Sequence, residues 1–209
     1  MRQLEKTKNT YNKILSSAIT EFGEKGYDNT SLNVICSKYN ISKGLIYHNF
    51  KNKDELYLHS VEKCINKLVD YLKQEDYSAN NPWENMKKLL RLRQDFFDQF
   101  QNYRNVFFGA ILSPPDHLID EIKNIRKEYD SFNVEKFKEL LRHLKLRKGI
   151  TEEMAISYFL VYQEMFNDYF HNKIYKDSNF SSISKEHDLK LLSILDVMLY
   201  GVAYKEDEK

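Results

Sequence analysis

The chain has 209 residues, 42% of them hydrophobic, and its 32 Lys and Arg nearly balance its 31 Asp and Glu. This composition is that of an ordinary soluble globular protein with one good core, or with a small domain beside a larger one. No apolar run approaches the roughly 18 residues of a membrane-spanning helix, and the charged N-terminal segment has no apolar stretch behind it. We therefore expect a cytoplasmic protein that neither enters a membrane nor is exported.

The six glycines and three prolines fall between segments of helical periodicity, which predicts an all-α chain of about nine helices. The first helix is predicted from about Thr7 to Lys25, followed by Gly26 as the left-handed residue that ends it. Thr30 or Ser31 would cap a short second helix. The buried residues predicted for this helix are Leu32, Ile35 and Cys36.

A tight turn is predicted between the second helix and the third. Asn40 suits a left-handed conformation and ends the second helix, and Ser42 caps the third. Two short helices joined in this way are a helix-turn-helix signature. A capping pattern from Asn52 to Glu55 begins the fourth helix. The apolar stripe of this helix consists of Leu56, Val61, Cys64, Ile65, Leu68 and Leu72.

Five further helices are predicted from caps and apolar stripes. In chain order they are a fifth capped by Asn81 with Pro82 in its first turn, a sixth over Tyr103 to Leu112, a single long seventh from Ser113 to Gly149, an eighth from Thr151 to about His171, and a ninth from about Ser182 to Tyr200.

The segment SKGLIYHNF, residues 42–50, places a glycine in the first turn of the third helix. In a helix interior a glycine costs about 0.8–1 kcal/mol relative to alanine. Without a side chain, Gly44 lets the backbone approach an opposing surface closely. Lys43 can reach a guanine edge or a phosphate, and Leu45 can contact a thymine methyl. The first turn also offers N–H groups to a phosphate.

Four more residues are placed to hold DNA around this turn. Tyr47 and His48 lie about one helical turn further on, within reach of phosphate oxygens or base edges. Thr30 and Lys53, at the starts of the second and fourth helices, would grip the backbone on either side. The charge agrees, because residues 1–60 carry nine Lys/Arg and six Asp/Glu, which leaves +3 at the front and −2 in the remainder.

The alternative is a capped surface helix in which Ile46 and Phe50 pack inward and Gly44 has no function. A resemblance favours the DNA-binding interpretation, because residues 14–61 closely resemble the DNA-binding domain of the TetR family of bacterial transcriptional regulators. The matching residues are Ile14-Leu15, Phe22 with Gly26-Tyr27, Thr30-Ser31, Ile35-Cys36, Ile41-Ser42-Lys43-Gly44, Ile46-Tyr47, Phe50 and Lys53 with Leu56.

The resemblance implies an N-terminal three-helix helix-turn-helix DNA-binding domain over residues 1–52 and a C-terminal helical ligand-binding and dimerisation domain over 53–209, linked by the helix from 53 to about 74. The DNA contacts that it implies are Thr30, Ser42, Lys43, Gly44, Leu45, Tyr47, His48 and Lys53. This chain departs from the family pattern at Cys36, Tyr39-Asn40, Leu45 and Asn49, so the operator sequence cannot be taken from relatives that differ there.

The C-terminal part of the sequence indicates that two copies of the chain associate. The predicted eighth and ninth helices are apolar around most of their circumference, which is wider than one core face requires. One side can pack on the protein's own helices and the other on a second copy, giving a homodimer through the last two helices that reads two half-sites. The alternative is burial of both helices on all sides within one subunit.

Aromatic residues are dense between residues 96 and 170 and could line a pocket for an unknown small-molecule effector, with Glu164 and Asp168 supplying charge. The alternative is that most of these rings are core and both acids are solvated. The candidate ligand-binding residues are Phe100, Tyr103, Phe107, Tyr129, Tyr162 and Phe166.

No enzymatic or metal site is predicted. His117 lies near Asp116 and Glu121, but no second histidine is near in sequence and no catalytic motif is present. Cys36 and Cys64 lie in apolar helical patterns, which predicts buried thiols. We expect a regulator that needs no cofactor. The resemblance implies that it is a ligand-responsive repressor that binds a palindromic operator. The alternatives are a DNA-binding regulator controlled by a protein partner, and an enzyme or carrier on a helical bundle.

Overall fold

A computed structural model of the chain describes residues 2–78, 81–176 and 179–203. Within these ranges the chain forms nine α-helices and one short 3₁₀ helix, which confirms the all-α prediction. No helix in the described ranges is long and apolar enough to cross a membrane. The helices are α1 (Arg2–Lys25), α2 (Leu32–Lys38), α3 (Lys43–Asn49), α4 (Lys53–Lys73), α5 (Pro82–Gln99), α6 (Gln101–Leu112), the 3₁₀ helix (Asp116–Leu118), α7 (Ile119–Leu141), α8 (Glu152–Lys176) and α9 (Phe180–Val202).

The chain packs into two compact units, and the first consists of Met1–Lys67 together with Phe97–Arg126. In this unit α1 packs closely on α6. A Cβ on Gly23 would lie only 2.8 Å from the backbone oxygen of Asn102, so the glycine allows the two helices to touch. The Asn105 amide fixes the contact by donating to the Gly23 carbonyl at 2.8 Å. The sequence did not predict that α6 packs with the N-terminal helices.

The second unit consists of Leu68–Phe96 together with Lys127–Lys209. Helices α8 and α9 pack against each other within it. By packing, the division between the units falls inside α4, α5 and α7. The division into residues 1–52 and 53–209 is one of function and stays a prediction.

The predicted seventh helix is too long. A 3₁₀ turn precedes α7, which ends at Leu141, and the chain then forms turns as far as Gly149, whose φ is +88°. The Arg147 N–H donates to the Val202 carbonyl at 3.0 Å, and Leu146 pairs with Ala203 in an isolated antiparallel bridge. These contacts with the end of α9 take the backbone groups that a longer α7 would have used.

The short helix α2 buries less than was predicted. Of the three expected residues only Ile35 is buried, whereas Leu32 and Cys36 are partly exposed because a helix of seven residues packs through one narrow face. Cys36 is therefore not a buried thiol, while Cys64 in α4 is buried and burial raises the pKa of its thiol. Ser31, and not Thr30, caps α2 by accepting the Val34 N–H at 3.2 Å.

Candidate nucleic-acid interface

The turn between α2 and α3 forms as its residues predict. Asn40 has a φ of +50°, the one left-handed non-glycine residue in the described part of the chain. The Ile41 N–H then donates to the Cys36 carbonyl at 2.9 Å and closes the turn. The Ser42 hydroxyl oxygen accepts the Leu45 N–H at 3.3 Å, which caps α3. Short-range hydrogen bonds thus fix where α3 begins.

Helix α3 has one buried side and one exposed side. Ile46 and Phe50 are buried, and the Phe50 ring stacks on Tyr11 of α1 and contacts His59 of α4, with centroids 5.2 and 5.6 Å away. The other side is exposed, including 45% of Leu45. We call this side the reading face. It consists of Ser42, Lys43, Gly44, Leu45, Tyr47 and His48.

Gly44 lies in the first turn of α3 in a helical conformation, since it is not among the residues with positive φ. A Cβ placed on it would have no heavy atom within 4 Å. Nothing within the described chain therefore requires a glycine at this position. The backbone of α3 is open to the outside at the point where the predicted approach to DNA needs it.

Two of the predicted backbone contacts have partners within the protein. Thr30 is only 3% exposed, and its hydroxyl donates to the carbonyls of Glu21 at 3.2 Å and Gly26 at 2.7 Å. In this structure Thr30 secures the turn after α1 and offers no hydroxyl to a phosphate. The ammonium of Lys53 lies 4.0 Å from the centroid of the Tyr27 ring, and the side chain remains partly exposed.

A buried acid joins α1 to α2. Glu21 lies on the buried side of α1 and pairs with Lys25 and, at 2.8 Å, with Lys38. Burial raises the pKa of this carboxyl, but hydrogen bonds from the two lysines lower it by more, so its pKa is below the usual value. The charge of Lys38 is therefore paired with acids of α1 within the helix-turn-helix region. The sequence signal was an acid three residues after Ala18 on an apolar stripe.

The six candidate ligand-binding residues divide between the two units. Tyr129, Tyr162 and Phe166 line a cavity in the second unit. Phe100, Tyr103 and Phe107 belong to the first unit, where the Lys67 ammonium lies 3.5 Å from the Phe100 ring centroid and 4.8 Å from that of Tyr103. Glu164 and Asp168 are exposed and do not line the cavity, in line with the alternative of solvated acids.

The volume of the cavity that the centre of a water molecule can occupy is about 50 Å³. A single water needs roughly 10–15 Å³ by the same measure, so the cavity has room for more than one water. Its lining comes from α4, α5, α7, α8 and α9. The lining residues are Leu72, Met86, Leu89, Leu90, Arg93, Tyr129, Asn133, Phe159, Tyr162, Gln163, Phe166, Leu191, Ile194, Leu195 and Met198.

Arg93 is the lining residue that sequence reasoning missed. It is only 7% exposed, pairs with the buried carboxylate of Asp188, and donates to the Tyr129 hydroxyl at 3.2 Å. The signal was present in the fifth helix, where Arg93 follows Met86 and Leu89 at helical spacing on the apolar side.

His117 has a structural place in the first unit. Its Nε2 lies 3.3 Å from the Tyr27 hydroxyl and 3.5 Å from a carboxylate oxygen of Asp54. The described residues contain no group of three or more His, Cys, Asp or Glu that could hold a metal ion. The three side chains connect the turn after α1, the start of α4 and the 3₁₀ helix.

Comparisons with known proteins identify related regulators. The family model described as bacterial regulatory proteins, tetR family, matches residues 14–59. The chain is 34% identical over 122 residues to the biofilm operon icaADBC HTH-type negative transcriptional regulator IcaR of Staphylococcus epidermidis, a match that spans 57% of this chain and 62% of that protein. It is 30% identical over 145 residues to IcaR of Staphylococcus aureus strain Newman, across 64% of this chain and 77% of the relative.

A similar fold occurs in the transcriptional regulator FadR from Bacillus subtilis, solved in complex with stearoyl-CoA. The TM-score is 0.63 with 16% sequence identity, and the match covers 88% of this chain and 98% of that one. At this identity the likeness shows a shared fold and carries no information on the ligand.

Proposed function

The chain belongs to the TetR family of bacterial regulatory proteins, and from that premise we propose that it is a sequence-specific DNA-binding repressor of transcription. The observation that carries the proposal is the reading face of α3, where Lys43, Gly44 and Tyr47 are exposed together while Ile46 is fully buried. The similarity to IcaR, a negative transcriptional regulator, supports repression as the outcome.

The reading face suits the major groove. Gly44 permits close approach, Lys43 can donate to a guanine edge or a phosphate, and Leu45 can contact a thymine methyl. Tyr47 is 57% exposed, more than an aromatic ring in a core would be. In this proposal Thr30 does not contact a phosphate. Its hydroxyl holds the turn between α1 and α2 and so helps to position α2.

The proposal includes a homodimer formed by α8 and α9. Helix α8 exposes apolar side chains at spacings of three and four residues, which forms one continuous stripe, and Met165 in its middle is 62% exposed. The α9 helix adds Leu189 and Val197. A stripe of this kind on both copies can form a two-fold interface. The stripe on α8 consists of Met154, Tyr158, Val161, Met165 and Tyr169.

A ligand response is the third part of the proposal. The cavity in the second unit is lined in part by Leu72, which lies near the end of α4. The same helix begins at Lys53, whose ammonium contacts the ring of Tyr27 in the turn after α1. A ligand that displaces Leu72 could shift α4 along its length and change the spacing of the two reading faces in the dimer. The shift requires that the ligand favours one arrangement energetically.

Selection of bound fragments from the protein's own genomic DNA tests the proposal. We expect recovery of a pseudo-palindrome whose two half-sites bind one dimer, with affinity that falls steeply as salt rises because phosphate contacts release counterions. Recovery of random fragments, or no binding at low salt, would contradict sequence-specific binding. Binding that no small molecule alters, together with capture of a protein partner, would favour control by that partner.

A further inference from the structure

We propose that the cavity of the second unit takes a compact, uncharged ligand with an apolar body and one hydrogen-bond-accepting oxygen, and that it rejects anions and cations of the same shape. The inference rests on the proposed function, since it names the class of effector for the ligand response. It follows from the volume and lining of the cavity, its charge balance and one guanidinium nitrogen that has no acceptor in the described part of the chain.

The lining sets the body of the ligand. Most of the lining side chains are aliphatic or aromatic, and the polar side chains without a ring are Arg93, Asn133 and Gln163. Apolar cavities bind apolar molecules of matching size without bound water. The room of about 50 Å³ is smaller than the roughly 150 Å³ of an apolar cavity that binds benzene, so the body of the ligand is limited to one aromatic ring at most. A long chain would need the surrounding helices to separate.

The charges around the cavity already balance. Arg93 is the charged residue among the described residues that line it, and its guanidinium pairs with the carboxylate of Asp188, which is 3% exposed. His187 lies beside Asp188 in sequence, and burial, assisted by the charge of Arg93, lowers its pKa to about 2. It is therefore neutral. A ligand charge would have no opposite charge to meet in this apolar setting.

The Nε of Arg93 is left as a donor for the ligand. The guanidinium uses its terminal nitrogens for Asp188 and the Tyr129 hydroxyl, whereas Arg93 Nε is buried and has no acceptor in the part of the chain that the structure describes. A ketone, ester, lactone or amide oxygen could accept from it without disturbing the pair. A carboxylate would add negative charge next to Asp188, and an amidinium would compete with Arg93 for that carboxylate.

Four probes of nearly equal shape test the class with the full-length protein. They are acetophenone, the apolar α-methylstyrene, the anion benzoate and the cation benzamidinium, compared by ligand-detected NMR titration. We expect acetophenone to bind at least about tenfold more tightly than either ion, and about fivefold more tightly than α-methylstyrene. Equal binding of either ion, or no binding of acetophenone, would overturn the proposal.

Two variants of the ion pair make the test specific to this cavity. Asp188→Asn leaves Arg93 without its counter-charge, so the order of benzoate and acetophenone should reverse. The double variant Arg93→Met with Asp188→Leu removes both charges and the donor, so acetophenone should lose its advantage over α-methylstyrene. This double variant decides the matter if Asp188→Asn does not fold, and an unchanged order in the folded variants would overturn the proposal.

Operator binding is measured separately, without any probe. Loss of sequence-specific binding would contradict the proposed function whatever the probes do. Intact operator binding with the wrong order of probe affinities would contradict only the ligand class, so the two failures can be told apart.

Discussion

Gly44→Ala should make the protein more stable and weaken its binding to DNA. A Cβ at this position has no heavy atom within 4 Å, so the helix accepts it without strain. Alanine is favoured over glycine in a helix by up to about 1 kcal/mol, which for a chain of this size raises Tm by about 2–4 °C. On DNA the same methyl would hold the backbone of α3 away from the groove and weaken every neighbouring contact.

We expect a loss of about tenfold or more in operator affinity, which is about 1.4 kcal/mol of binding free energy. The assays are thermal unfolding followed by circular dichroism and fluorescence anisotropy on an operator duplex at fixed salt. Ser131→Ala is the control, because it raises helix propensity at an exposed position in α7 without touching the reading face. Unchanged operator affinity for Gly44→Ala would refute the close approach, and a lower Tm would refute the unstrained geometry.

Three further changes test the packing. Gly23→Ala places a methyl 2.8 Å from the Asn102 backbone oxygen, so urea unfolding should show a loss of about 1–3 kcal/mol, and wild-type stability would contradict the contact of α1 with α6. Met165→Lys puts a charge in the exposed stripe of α8, so light scattering should report monomers with unchanged helix content, and an intact dimer would exclude this stripe from the interface. Asp188→Leu alone leaves Arg93 buried without its counter-charge and should cost about 3–5 kcal/mol, whereas adding Arg93→Met should restore most of that loss in urea unfolding.

Local signals predicted local structure well. Gly26 and Asn40 adopt the left-handed conformations expected of residues that end helices, and Ser42 caps α3 as its position indicates. Each of these features depends on hydrogen bonds between residues three to five positions apart, so a short stretch of sequence contains all the groups involved. The exposed and buried sides of α3 follow from the same spacing.

Features that depend on distant partners were missed or predicted wrongly. The seventh helix ends at Leu141 in local turns, and the backbone beyond them bonds at Arg147 to the end of α9, which lies some sixty residues later in the sequence than Leu141. Arg93 finds its counter-charge 95 residues away at Asp188. The periodic pattern marks Arg93 as facing inward, but it contains no information on which acid, or which cavity, lies opposite.

The candidate site shows the same division. The sequence predicted that Thr30, at the start of α2, would grip the DNA backbone, but the use of its hydroxyl depends on the carbonyls of Glu21 and Gly26. The aromatic density between α5 and α8 likewise led the sequence analysis to group six rings as the lining of one pocket, of which three line the cavity. Only the packing separates Tyr129, Tyr162 and Phe166 from Phe100, Tyr103 and Phe107.

Operator affinity of the Lys43→Ala and Tyr47→Ala variants tests the central claim most directly. Their affinity for the recovered operator is measured by fluorescence anisotropy. The control variant is Lys148→Ala, which removes a lysine charge, as Lys43→Ala does, but from an exposed site in the turns before α8. The account predicts that both reading-face variants lose specific binding while their dimer mass and Tm stay near wild type, and that Lys148→Ala binds normally. Wild-type affinity in both variants, or loss of folding in both, would contradict the assignment of α3 as the element that reads DNA.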